Sequence, residues 1–566
     1  MDERKYRRAV CRGALPVCLA LACALGWAGA AATPKATRVT LTLLATTDLH
    51  GHLFPVDGDT GGPANLGLAK IATLIGRERA AHGNTVLVDC GDTTEGTALA
   101  YLAATKYAEQ PNPMIAAMNL LHYDAMAVGN HDFNFGPAHL EKIRREAEFP
   151  ILGANVETLP EARVKAFPPY VVKTVAGIRV GILGVVTPGI ARGEIPANYR
   201  GYRFLPIVET VERVAAELRP KVDLLVLLAH SGLGREPPAG REAEDRENPE
   251  NAMIETADRV PEIDVIFFGH THQEVGERFI NGVLLTQAKF WGQSLAEAEI
   301  EMERSETGAW RVASKHSRVI PVTAEVEADV RVLQPARALG RATTEFLDRQ
   351  VANLAAPLNG ATGRIEDTPL VDWIHRAQLE AVHADVSLAT MFRPGIRLAA
   401  GALTVRNLFA LYPYDNELYA IEMTGAELEE ALEHAASFYP GWPASGGASG
   451  ANAALPLPGY EADSAEGVSY VIDLTQPVGS RVRDVKFHGK PLEPGQRLLV
   501  ALNHYRYYGD ERFRGRAILR RAAEPVFELL VEYAERAKEM PVKADGNWRI
   551  EPVAAREALE RAAEQR

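Results

Sequence analysis

Short apolar runs recur through the first half of the chain, and each ends in polar residues capable of chemistry. Val39 to Thr46 is apolar and β-branched, which predicts a strand ending at Asp48. Thr85 to Val88 predicts a second strand that delivers Asp89 and Asp92, and the weaker run Ala125 to Val128 leads into Asn130, His131 and Asp132. Val222 to Leu228 runs on to His230, and Ile263 to Phe268 runs on to Gly269-His270-Thr271-His272. Tyr170 to Val175 and Arg179 to Val185 flank Ala176-Gly177 as a hairpin. Helical spacing lies between the strands: Leu68, Ile71 and Ile75 share a face, as do Val211, Val214 and Leu218, and Met114 to Leu121 predicts a further helix. This alternation of strand and helix predicts a layered α/β domain over residues 38–325.

The second half changes texture. Residues 326–357 are rich in Ala, Glu and Arg and predict a helical linker. A smaller α/β domain is expected over 358–550, with a helix running to about Val382 and strands at Val468 to Leu474 and Arg497 to Leu502. Thr424-Gly425-Ala426-Glu427 is a capping box that starts another helix, with Leu428 and Leu432 on one face. Gly441 to Pro458 reads as an irregular loop, and 551–566 as a charged tail.

Composition narrows the classes. A chain of 566 residues with 47% apolar and 24% charged residues can form several packed cores, which excludes a disordered chain. Its net charge of -13 argues against a nucleic acid polymer as partner, because such binding is built on Lys and Arg. Arg4, Lys5, Arg7, Arg8 and Arg12 precede the apolar stretch Ala14 to Trp27 and the small residues Ala28-Gly29-Ala30. That order predicts a cleaved export signal over 1–30 and a periplasmic or extracellular protein. Lipid anchoring at Cys23, in Ala20-Leu21-Ala22-Cys23, is the lesser alternative, and no later run has the apolar length of a membrane span. Cys11, Cys18 and Cys23 fall in the signal, so Cys90 has no internal disulfide partner and reads as a buried thiol.

The strand ends carry the chemistry. Open α/β sheets gather ligands outside the carboxyl ends of their strands. Here those ends offer Asp48, His50, Asp92, Asn130, His131, Asp132, His230, His270 and His272. Any one of them alone reads as a turn residue; their recurrence at five strand ends gives them weight. Carboxylate, imidazole and amide donors suit Mn, Zn, Co, Fe or Mg, and no thiolate cluster is present to select softer metals. Two such divalent ions side by side are a device for displacing groups at phosphorus.

In order and spacing, D-x-H at 48–50, G-D at 91–92, G-N-H-D at 129–132, the lone His230 and G-H-x-H at 269–272 resemble the binuclear metallophosphoesterases. The closer resemblance is to the 5'-nucleotidase family, whose members dephosphorylate nucleotides or open 2',3'-cyclic nucleotides. It implies a layered αββα calcineurin-like domain followed by a smaller α/β 5'-nucleotidase C-terminal domain. It assigns Asp48, His50 and His272 to one metal and Asn130, His230 and His270 to the other, with Asp92 bridging both. It places His131 against the scissile phosphate, as charge stabiliser or general acid, with Asp132 orienting its ring.

The second half resembles the family through Leu411-Tyr412-Pro413-Tyr414-Asp415-Asn416-Glu417-Leu418-Tyr419 and Glu422-Met423-Thr424-Gly425. Gly467-Val468-Ser469-Tyr470-Val471-Ile472-Asp473 is nearer to the 2',3'-cyclic-nucleotide 2'-phosphodiesterases with 3'-nucleotidase activity. The resemblance implies that Tyr460 and Tyr505 sandwich a base and that Arg364 and Arg397 hold phosphate, with Asp510 or Glu511 available to sugar hydroxyls. Two segments depart from the family. Phe392-Arg393-Pro394-Gly395-Ile396-Arg397 lacks the usual asparagine, and Arg506 to Phe513 is bulky where glycines are common. A small nucleotide is thus the expected substrate. The alternatives are a non-nucleotide or UDP-sugar phosphoester, or an exported binding module without catalysis.

Overall fold

The computed structural model describes residues 37–234, 250–443, 457, 459 and 461–564. The expected export signal, Cys23 and Tyr460 lie outside the described residues.

Two six-stranded sheets face each other in the first half. One runs in the order Trp310–Pro321, Ser294–Arg304, Thr37–Thr46, Thr85–Asp89, Ala125–Ala127 and Ile151–Leu152. The other runs Val275–Ile280, Val283–Gln287, Val265–Phe268, Leu224–His230, Ile178–Val186 and Tyr170–Val175. Side chains alternate across a strand, so each central strand must be apolar on both faces. Leu41, Leu43 and Ala45 of the first strand meet Val180, Ile182, Val226, Leu228 and Phe267 of the opposite sheet in one core. Leu44, on the other face, packs with Leu68, Ile71 and Ile75 of the helix Leu68–Ala81 and with Met114 and Ile115 of the helix Pro113–Leu120. Helices Ile207–Leu218 and Met253–Arg259 cover the second sheet through Val211, Val214, Leu218 and Met253. The result is four layers, αββα, as expected. The predicted hairpin forms across Ala176 and Gly177, both at positive φ.

Parallel pairing of Thr37–Thr46 with Thr85–Asp89, and of that strand with Ala125–Ala127, brings three carboxyl ends to one edge. Parallel pairing of Leu224–His230 with Val265–Phe268 does the same in the facing sheet. All five ligand-bearing loops therefore emerge on one side.

The second half holds a five-stranded sheet, Ser464–Glu466, Val386–Ala389, Arg497–Asn503, Leu418–Thr424 and Ile518–Arg521. A four-stranded sheet of Lys490–Pro491, Val482–Phe487, Val468–Asp473 and Trp548–Glu551 lies beyond it. Helices Pro369–Val382 and Val526–Ala537 share a core with Leu418, Ala420 and Ala501. Thr424 caps the helix Gly425–Ser437 with Glu427 reciprocating, so the capping box reads correctly.

Two expectations change. Helix Arg337–Leu347 is followed by the strand Gln350–Leu354, which pairs with Gly401–Thr404 and Glu539–Met540. The segment expected as a linker is helical only in part, because Val351, Ala352 and Leu354 are buried in the core of the second half. The expected charged tail is the helix Val553–Glu564, and it buries Ala555, Leu559 and Ala562 on one face. Its charges pair along the outside, as in Arg556 Nε to Glu560 Oε1 at 3.0 Å.

The halves touch beside the ligand-bearing loops. Arg393 pairs with Asp59 at 2.7 Å, Arg406 donates to the Gly58 carbonyl at 3.2 Å, and the Tyr101 hydroxyl donates to Glu528. No helix among the described residues is long and apolar enough to cross a membrane.

Candidate metal centre

Five of the residues expected to bind metal sit on left-handed backbone: Asp48 (φ 50°), His50 (46°), Asp92 (56°), His270 (76°) and His272 (55°). Each such non-glycine residue costs of order 1–3 kcal/mol and persists where its surroundings hold it, typically at functional sites. Here the loops lace together. Asp48 N donates to Gly91 O at 3.0 Å, His50 N to Asp92 O at 2.8 Å and Gly51 N to Thr93 O at 2.9 Å. The glycines of the motifs permit this approach. A Cβ on Gly129 would stand 2.2 Å from Asp92 N and Oδ1, and one on Gly269 2.0 Å from Thr47 Oγ1.

The side chains then converge. Asp92 Oδ2 lies 3.0 Å from His230 Nε2 and 3.7 Å from His50 Nε2, so one carboxylate oxygen faces both imidazoles. His230 Nε2 is also 2.9 Å from Asn130 Oδ1, and His50 Nε2 is 3.0 Å from His272 Nε2. Asp48 Oδ1 stands 3.6 Å from His272 Nε2. Asp48 also belongs with Asp92 and His230 to a second group of potential ligand atoms within 4.8 Å of one another. The ring of His270 lies beside that of His230, with centroids 5.2 Å apart.

This donor set fits divalent cations. His230 Nδ1 is 2.8 Å from the Cys90 carbonyl and His50 Nδ1 is 3.2 Å from the Glu95 carbonyl, so both Nδ1 atoms donate and both Nε2 atoms point inward. Inward-pointing nitrogens and oxygens need a positive charge among them. Burial pushes the His50 and His230 imidazoles down, yet they end up raised to about 9 and about 10. For His50 the bond to Glu95 and the Asp92 charge outweigh burial, and for His230 the Asp92 charge does so. His272 stacks on Phe290 at 4.7 Å, and burial followed by the neighbouring His50 lowers it to about 4.

Asp132 stands elsewhere than expected. Its carboxylate accepts from Asp92 N (3.1 Å), Thr93 N (3.1 Å), Thr94 N (3.1 Å), Thr94 Oγ1 (2.9 Å) and Gly129 N (2.9 Å). Burial and the charge of Asp92 push this carboxyl up, and the donors from Gly129 and Thr94 oppose them. These bonds hold the loop that carries Asp92; they do not orient the His131 ring. The carboxylate beside that ring is Glu95, whose Oε2 is 3.5 Å from His131 Nδ1 and equally 3.5 Å from His50 Nδ1. His131 is about one-third exposed, and its backbone N–H donates to Asp92 Oδ1 at 2.8 Å.

With this geometry in view, the comparisons with known proteins are direct. Residues 41–274 match the calcineurin-like phosphoesterase family and residues 342–516 match the 5'-nucleotidase C-terminal domain. The chain belongs to the 5'-nucleotidase family of metallophosphoesterases. It is 28% identical to the trifunctional nucleotide phosphoesterase protein YfkN of Bacillus subtilis, over 92% of this chain and 39% of that longer protein. It is also 28% identical to the 2',3'-cyclic-nucleotide 2'-phosphodiesterase/3'-nucleotidase of Haemophilus influenzae, over 92% of this chain and 89% of the relative. The crystal structure of a 5'-nucleotidase precursor from Thermus thermophilus superposes with a TM-score of 0.66 at 25% identity, covering 91% of this chain and all of that one. Membership makes the chain a hydrolase of phosphoester bonds.

Within this 5'-nucleotidase framework the expected substrate residues that are described all lie in the second half. Tyr505 is 43% exposed and packs its ring edge against Gly193 of the first half, where a Cβ would come within 2.8 Å of Cε2. Arg364 donates to the carbonyls of Met391 (2.7 Å) and Phe392 (3.2 Å). Arg397 is exposed on the short strand Arg397–Leu398. Asp510 accepts from Arg512 N at 2.9 Å and lines a small cavity with Asp463, Arg506 and Arg512, whereas Glu511 is exposed.

Sequence reasoning missed three carboxylates near the centre. Besides Glu95, Glu250 Oε1 is 2.7 Å from His270 Nε2, and the half-buried Asp415 faces Glu95 and Glu194 from the second half. Asp415 lay within a motif already singled out. Nothing in the sequence pattern marks Glu95 or Glu250, which lie several residues beyond the strands Thr85–Asp89 and Leu224–His230 and outside the motifs at their ends.

Proposed function

We propose that the chain is an exported nucleotide phosphohydrolase that removes phosphate from 5'- or 3'-nucleotides and opens 2',3'-cyclic nucleotides. The observation that carries the hydrolytic reading is the position of Asp92 Oδ2 between His50 Nε2 and His230 Nε2. Asp48, His50, Asp92 and His272 would hold one divalent ion, and Asp92, Asn130, His230 and His270 the other. When bound, such a pair acidifies water and neutralises charge at phosphorus, which supplies a nucleophile near neutral pH.

The chain's own residues do the rest. Asn130 and Asp92 steer the inward nitrogen of His230, while the Cys90 carbonyl fixes its tautomer. His131 presents a partly open ring at the same edge, where it neutralises the phosphoryl oxygens or hands a proton to the departing ribose oxygen. Glu95 holds that ring from behind. Tyr505, with Tyr460 from outside the described residues, offers a stacking face for a base, worth about 1–3 kcal/mol per contact and tolerant of base identity. The names of the relatives support a nucleotide substrate, and the basic and apolar N-terminal segment supports export.

The test is turnover of the purified, Mn-loaded chain on AMP, 3'-AMP, 2',3'-cyclic AMP, UDP-glucose and an aryl phosphate. Base-containing monoesters and cyclic diesters should exceed the aryl phosphate in kcat/KM. Equal efficiency on the aryl phosphate contradicts the base clamp, and preference for UDP-glucose moves the substrate to nucleotide sugars.

A further inference from the structure

Away from the phosphoesterase centre, four carboxylates from three segments of the second half cluster together. Asp367 precedes the helix Pro369–Val382 and Asp372 lies in its first turn. Glu466 ends the strand Ser464–Glu466, and Asp545 sits in the loop before the strand Trp548–Glu551. Ligand oxygens of Asp367, Asp372 and Asp545 lie within 4.8 Å of one another.

Asp372 is the telling member. It is 1% exposed, and neither carboxylate oxygen has a hydrogen-bond partner. Glu466 Oε2 is buried and unpartnered as well. Arg376, the neighbouring cation, bonds to Asp545 at 3.4 Å and stays 3.9 Å from Asp372, too far for a hydrogen bond. Asp367 accepts from Gly546 N at 2.7 Å. A buried carboxylate without donors is costly unless a cation or a proton joins it. The contrast with Glu78, His82 and Glu297 is instructive. There the Arg318 guanidinium reaches Glu297 through two bonds of 3.0 Å and Glu78 at 3.3 Å, so that group already has its cation.

We propose that Asp367, Asp372 and Asp545, with the buried Glu466 carboxylate beside them, form a site for a hard divalent cation of the Ca²⁺ class, separate from the phosphoesterase centre. An all-oxygen set without imidazole or thiolate selects such ions, and Ca²⁺ accepts irregular shells completed by water. The cation would clip the loop at Asp545 to the first turn of the helix, joining segments far apart in sequence. Without it the cluster retains protons. Burial, then Asp367, Asp545 and Glu466, push Asp372 up to about 8, and burial, then Asp545, pushes Glu466 up to about 7.

The test is equilibrium dialysis of the full chain against radiolabelled Ca²⁺, with Mn²⁺ saturating the phosphoesterase centre, for wild type, Asp545→Asn and Asp372→Asn. Wild type should bind an additional Ca²⁺ whose affinity falls about ten-fold or more in both variants, as charge is removed from the ligand shell. The rise in melting temperature that Ca²⁺ gives wild type should be lost in both. Asp545 lies on an exposed loop, so Asp545→Asn should fold and keep its phosphatase turnover. Ca²⁺ binding and melting curves identical in all three proteins overturn the site.

Discussion

Asp132→Asn separates a scaffold role from a role at the reacting atoms. One oxygen of Asp132 accepts from Thr93 N, Thr94 N and Thr94 Oγ1, the other from Asp92 N and Gly129 N. An asparagine keeps one of the two oxygens. Whichever way the amide turns, at least two donors lose their acceptor and meet an N–H. A hydrogen bond to a charged group is worth about 1.5–3 kcal/mol, so the loss is about 3–6 kcal/mol. That is a large share of the ~5–15 kcal/mol by which domains are stable. The damage falls on the loop that presents Asp92, so metal should be lost as well. Urea denaturation followed by circular dichroism should show a lower midpoint, and elemental analysis should show a parallel loss of bound metal. If Asp132→Asn kept the wild-type midpoint and full metal while turnover fell, Asp132 would belong beside the reacting phosphate and the scaffold reading would be wrong.

Further outcomes follow from the same geometry. His131→Asn should retain both metals and lose about 10²-fold or more in turnover, the range of acid–base and charge-stabilising groups; normal turnover with normal metal content contradicts its role. Gly269→Ala puts a Cβ 2.0 Å from Thr47 Oγ1 and 2.7 Å from Asp48 Oδ2, so metal affinity measured by competition with a chelator should fall although the fold persists. Without Ca²⁺, folded Asp372 keeps its proton up to about pH 8, whereas the unfolded chain releases it near the ordinary 3.8. The folded state then binds more protons, so its stability should decline as pH rises from about 4 to 8. Subtracting the melting profile of Asp372→Asn isolates that slope, and a flat difference contradicts the raised carboxyl.

Much of the centre was legible because strand ends are cheap to read. The run into Asp48 and the run into His230 each bury both faces, so little but a central strand fits them, and parallel pairing puts their ends on one edge. Thr424 and Glu427 announced their helix for an equally local reason, two side chains closing on two backbone donors. What could not be read depends on tertiary approach. Glu95 and Glu250 reach the imidazoles from loops, and Asp132 is taken up by five buried donors rather than by the His131 ring that the family resemblance implied for it. The final helix was hidden by its charge, since three small or aliphatic residues, Ala555, Leu559 and Ala562, carry its buried face.

The most direct measurement is the metal content of the purified chain after saturation and removal of free ions, compared with Asp92→Ala. A carboxylate shared by both ions requires that wild type retain about two at the centre and that the single substitution weaken both. Retention of a single ion by wild type, or an unchanged pair in Asp92→Ala, contradicts it.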